Sequence, residues 1–82
     1  MDTTSQFNRR FGARIKYLRE SHEPYLSQEK SAFLADYAVS SWSRLERGVQ
    51  ACHPQKLPII ARTLGVDINS LFDFGEDDDE HS

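Results

Sequence analysis

The chain has 82 residues, enough for one domain with a small core, and 38% of them are hydrophobic. Its net charge of −3 hides an asymmetry: residues 1–72 carry ten Lys or Arg against seven Asp or Glu, whereas the last ten residues carry six acids and no Lys or Arg. One cysteine, Cys52, excludes an internal disulfide, Met1 to Gln6 is too polar for a secretory leader, and no run approaches the roughly 20 apolar residues of a membrane span, so a soluble protein of the reducing cytoplasm is expected.

Residues 1–6 are polar and read as loose. A first helix is expected from about Gln6 to His22, because Phe7, Phe11, Ile15 and Leu18 recur on one face. Arg9, Arg10, Arg14 and Lys16 fall mostly away from that face. Pro24 closes the segment, and Tyr25-Leu26 leads into Ser27. The stretch SQEKSAFLADYAVSSWSRLERG, residues 27–48, reads as two short helices joined by a tight turn. Ser27 is an N-cap, and Ala32, Phe33, Leu34 and Ala35 are expected on the buried side of the helix it opens. Asp36 falls where a turn is needed. Trp42 and Leu45 share one face of the next helix, and Gly48 stands where a left-handed C-cap would close it. Two helices crossing at such a turn are the unit that places one of them in a DNA major groove.

Val49 to His53 reads as a loop. Pro54 and Pro58 are tolerated only in a first helical turn, so a regular fourth helix is expected from about Lys56 or Leu57. Leu57, Ile60, Ala61 and Leu64 form its apolar stripe, and Gly65 ends it. Asp67 can cap a short fifth helix containing Ile68, Leu71 and Phe72. Residues 75–82, GEDDDEHS, read as an acidic, disordered tail, leaving 1–74 as the domain. Strand-like alternation and internal repeats are absent, so the fold class is all-α.

The segments FGARIKYLRE, SQE, SRLERG and LPIIARTLGVDINSLF, in that order, closely resemble the lambda-repressor-like (Cro and Xre) helix-turn-helix family. The likeness covers residues 11–72. It implies a compact five-helix domain in which residues 27–35 and roughly 38–47 are the second and third helices. Against that pattern, Ser31 stands where a core Leu is usual, Asp36 where the turn usually has Gly, and Ala38 where a capping Ser or Thr is common. Asp tolerates positive φ better than most residues. Asp36 is therefore expected at the turn, with a capping role toward the third helix in place of Ala38.

With Trp42 and Leu45 turned inward, Val39, Ser40, Ser43 and Arg44 are the outward candidates on the third helix. The resemblance places the base-contacting positions on the same four residues. Arg44 can bond a guanine through two acceptors, Val39 can touch a thymine methyl, and the serines can donate or accept. For phosphates the resemblance points to Gln28, with Ser27, Ser41, Arg47, His53 and Lys56 as further candidates. Ser27 serves equally as a cap, and Arg47 and His53 equally as solvated side chains. The resemblance also implies a structural ion pair between Arg19 and Glu46. Arg9, Arg10 and Arg14 read as a solvated basic face rather than a phosphate seat. Trp42 and the phenylalanines read as core, with Phe72 and Phe74 open to a dimer seam.

Enzymatic readings find no support. His22, His53 and His81 are dispersed, Cys52-His53 lacks further ligands at zinc spacing, and no glycine-rich elbow or phosphate-cradling loop occurs. No cofactor or metal is expected. The resulting expectation is a bacterial or phage-encoded transcription regulator acting at the nucleoid. It would bind double-stranded DNA as a homodimer on a palindromic operator, as a repressor or autoregulator. The alternative is a protein-interaction module, such as an antitoxin or a polymerase-contacting activator, with the acidic tail as one partner surface.

Overall fold

The computed structural model describes residues 3–74 as four α-helices and two short 3-10 helices, with no strand among the described residues. The helices are α1 (Thr3–Glu20), α2 (Gln28–Leu34), α3 (Val39–Arg47) and α4 (Leu57–Leu64). The 3-10 segments span Pro54–Lys56 and Ile68–Phe72. The all-helical class therefore holds, but the fifth helix is a 3-10 turn. The physical reason is length: only five residues separate its cap from Asp73, and its bonds run i to i+3, as from Ser70 N–H to the Asp67 carbonyl at 2.8 Å. Asp67 caps this turn, accepting from the Asn69 N–H at 3.1 Å. The expected acidic tail, residues 75–82, lies outside the described residues.

Helix α1 begins at Thr3, earlier than the apolar periodicity suggests, so Thr3 to Gln6 are helical rather than loose. Its buried residues Phe11, Ile15 and Arg19 recur every four positions, a stripe that faces α3. Gly12 lies beside that stripe. A Cβ built on it would fall 2.4 Å from the Leu45 carbonyl oxygen and 2.6 Å from that of Glu46. The backbones of α1 and α3 thus cross in direct contact, which only a residue without a side chain permits.

Helix α2 is opened by Ser27, whose hydroxyl accepts from the Lys30 N–H at 3.0 Å. Its inward residues are Ser31, Ala32 and Ala35. Phe33 is 77% exposed and Leu34 is 41% exposed, contrary to the expectation that the whole apolar run is buried. Successive helical residues turn by about 100°, so four contiguous residues cannot share one face. Ser31 is fully buried, and its hydroxyl has no hydrogen-bond partner.

Asp36 takes φ +60°, the left-handed step that reverses the chain between α2 and α3. It does not cap α3: Ala38 occupies the N-cap position and no side chain bonds to that helix start. Asp36 instead meets Lys56, which donates to its backbone carbonyl at 3.0 Å. Gly48 closes α3 at φ +78° and Gly65 closes α4 at φ +71°, both left-handed caps.

The core is continuous from α1 to the terminal turn, with Ile15, Trp42, Ile60 and Leu71 fully buried. Arg14 ties the last turn to α1 by donating from Nε to the Ser70 carbonyl at 2.8 Å. The phenylalanines are not uniformly core. Phe11 is buried, but Phe7 and Phe72 are 44% and 41% exposed, and their rings stack along one side of the molecule at 6.3 Å between centroids. No helix among the described residues is long and apolar enough to cross a membrane.

Candidate nucleic-acid interface

Helix α3 is polarised around its axis. Trp42, Leu45 and Glu46 are buried, while Val39, Ser40, Arg44 and Arg47 are exposed and Ser43 is half-buried. The burial follows directly from spacing, because residues three and four apart share a face.

What holds this helix at a defined angle is a buried carboxylate. Glu46 Oε1 accepts from Arg19 Nη2 at 3.0 Å and from Gln28 Nε2 at 2.9 Å. Its Oε2 accepts from Arg19 Nε and from the Trp42 indole N–H at 2.6 Å. The side chains of Arg19 and Glu46 are only 4% and 2% exposed. Arg19 also donates to the Leu26 carbonyl at 3.0 Å and the Tyr25 hydroxyl at 3.2 Å. The hydrogen bonds to Glu46 hold the guanidinium above its already high ordinary pKa, against the opposing effect of burial. One carboxylate therefore joins the end of α1, the start of α2 and the body of α3, with both buried charges matched and hydrogen-bonded.

The remaining site candidates fall into three groups. Arg44 lies along the exposed face, with Nε donating to Gln50 Oε1 at 3.1 Å and Nη2 to Ser41 Oγ at 3.4 Å. These exposed contacts hold Arg44 along the surface of α3. Ser27 serves as the α2 cap and Gln28 is committed in part to Glu46, leaving one amide hydrogen. Lys56 and His53 lie in the connection to α4, on the far side of the turn. Lys56 sits 3.7 Å from the Asp36 carboxylate and over the Tyr37 ring at 5.1 Å. His53 is exposed ahead of the 3-10 turn.

A further feature, not marked by any motif in the chain, lies between α1 and α3. Arg9, Ala13 and Lys16 line one wall of an open cleft of about 530 Å³, and Gln28, Ser43, Glu46 and Arg47 line the other. The tight crossing at Gly12 forms it. A second close approach seats Arg9: a Cβ on Gly48 would meet the Arg9 Cα at 2.6 Å. The spacing of Arg9, Ala13 and Lys16 at intervals of four and three marks one helical face. The clue to its role, adjacency to Arg47, exists only in three dimensions.

Together these features define a compact all-helical module that projects one short helix from a rigid three-way junction. The chain belongs to the helix-turn-helix domain family, which matches residues 10–71 and agrees with the lambda-repressor-like resemblance of the sequence. Domains of this family are typically DNA-binding modules of regulators rather than enzymes. A comparison with curated proteins returned no match.

Proposed function

We propose that this protein is a sequence-specific transcription regulator that reads a palindromic operator as a homodimer, acting as a repressor and controlling its own gene. The observation that carries the reading is the outward face of α3. Val39, Ser40 and Arg44 are exposed and Ser43 is half-buried, on a helix whose Trp42 is buried and which is fastened to its neighbours through Glu46. An apolar side chain, two hydroxyls and a guanidinium are a suitable set for base edges in a major groove. Two copies would place their α3 helices about 34–36 Å apart on successive grooves. The partly exposed Phe7 and Phe72 rings supply apolar surface on which a second copy can pack.

The test is selection of duplexes from a randomised pool, followed by footprinting upstream of the protein's own gene. One protected site with two half-sites is expected; failure to enrich any sequence would refute the reading. Arg44→Ala should then weaken the selected site by about 1–3 kcal/mol and relax one base position, with little effect on random duplex. Equal losses on both would mean that Arg44 meets a phosphate.

A second reading, a module whose main partner is another protein, draws support from Phe33 and Leu34. These neighbouring apolar side chains stand exposed on α2. Phe33→Ser should leave operator affinity unchanged under either reading, and should abolish regulation in cells only under the second.

A further inference from the structure

We infer that the cleft between α1 and α3 is a phosphate seat in which Arg9 and Lys16 of α1 join Arg47 of α3. This inference rests on the DNA-binding reading and extends it to a helix outside the helix-turn-helix pair. The chain has ten Lys or Arg residues. Four of them are engaged within the protein: Arg14 on Ser70, Arg19 on Glu46, Arg44 on Gln50 and Lys56 on Asp36. Arg9, Lys16 and Arg47 have no acidic partner among the described residues, yet they converge on one concavity. Like charges gathered in a concave surface repel one another and focus a positive potential, an arrangement that an anion relieves.

The one acid in the lining does not oppose this. The Glu46 carboxylate is 2% exposed and paired with Arg19, so it forms a neutralised floor. Neutral donors complete the seat: the spare amide hydrogen of Gln28 and the hydroxyl of Ser43. Ser43 also belongs to the outward face of α3, so the cleft is continuous with the surface proposed to read bases. A duplex along α3 therefore brings its sugar-phosphate backbone to the cleft mouth. Arg9 and Lys16 are seven residues apart, roughly 10 Å along a helix, whereas phosphates on one strand recur about every 3.4 Å of axis. The two side chains thus reach different phosphates. The shared chemistry is a phosphoryl oxygen anion, and its source is either a phosphodiester of DNA or a free phosphate.

The experiment measures the salt dependence of binding to a mixed-sequence duplex for the intact chain and three variants. Arg9→Ala/Lys16→Ala removes two cleft cations. Lys30→Ala/Arg62→Ala removes the same charge elsewhere on the surface. Lys16→Arg keeps the cleft charge. All these side chains are exposed, and thermal melting confirms each fold. The seat predicts that the slope of log K against log salt falls by about 2 in the cleft double variant. It should stay close to the original in the other two. Equal slopes in both double variants, or an unchanged slope in the cleft variant, would overturn the inference while leaving DNA binding intact. If the intact chain binds no duplex, the DNA reading fails on its own. The phosphate seat then survives only if inorganic phosphate, at constant ionic strength, shifts the Ala13 and Ser43 amide resonances in the intact chain and not in the cleft variant. Absence of that shift ends the proposal.

Discussion

Replacing Gly12 by Ala sets two effects of opposite sign against each other. In a helix interior Ala is favoured over Gly by about 0.8–1.0 kcal/mol, so propensity alone predicts stabilisation. The new methyl, however, would lie 2.4 Å from the Leu45 carbonyl oxygen and 2.6 Å from that of Glu46. Both obstacles are backbone atoms of α3, so no rotamer change relieves them. Restoring even a 3.0 Å contact requires the helices to separate by about 0.6 Å. Interiors are packed like crystals and resist such movement, and overpacking of this kind typically costs about 1–3 kcal/mol. The same shift would stretch the Arg19–Glu46 contacts that span the two helices, which adds to the cost. The expected net effect is a loss of about 1–3 kcal/mol, equivalent to a melting point lower by about 4–24 °C for a domain of this size. Thermal denaturation followed by circular dichroism measures it directly. A variant that melts higher than the original would refute the close crossing of α1 and α3, and with it the geometry of the cleft.

The other expectations concern the junction, the core and the alkaline range. Glu46→Gln leaves the buried Arg19 guanidinium without its counter-charge and should cost about 3–5 kcal/mol in urea unfolding; a loss below about 1 kcal/mol would mean the pair is effectively solvated. Ser31→Ala removes a buried hydroxyl that has no partner and should raise stability by about 1 kcal/mol in the same assay, whereas a clear loss would show that the hydroxyl is satisfied. Burial raises the Cys52 thiol and the Tyr37 phenol above their ordinary values, and these groups meet at 3.8 Å. Their folded-state pKa values exceed the unfolded ones, so the protonated native state is favoured below the unfolded pKa of each group. Stability should fall as pH climbs past the ordinary thiol range and then the ordinary phenol range. A stability profile flat through both ranges would contradict this.

Much of the helical framework is legible in local chemistry. Ser27, Gly48, Gly65 and Asp67 mark helix ends because capping depends on a residue and its immediate neighbours. The inward turn of Trp42 and Leu45, and hence the outward face of α3, follows from spacing along a single helix. Local chemistry also misleads where a run offers more apolar residues than one face can bury. Ser31, Ala32 and Ala35 go inward while Phe33 is left outside, a choice made by the helices packed against α2. The terminal segment shows the same limit, since its cap is readable but its 3-10 winding is not.

The caps at Ser27, Gly48, Gly65 and Asp67, the helical periodicities and the exposed side of α3 can be read along the chain, because each depends on atoms within one or two turns, whereas the failed Asp36 cap depends on how the turn packs. Which cations lie together depends on how the helices pack. Arg9 and Lys16 lie far along the chain from Arg47, and nothing in either helix announces the other. Their meeting depends on a crossing in which Gly12 lets two backbones touch, and on Glu46 gathering Arg19, Gln28 and Trp42 around one buried charge. Such through-space arrangements arise from close packing and charge pairing between distant segments.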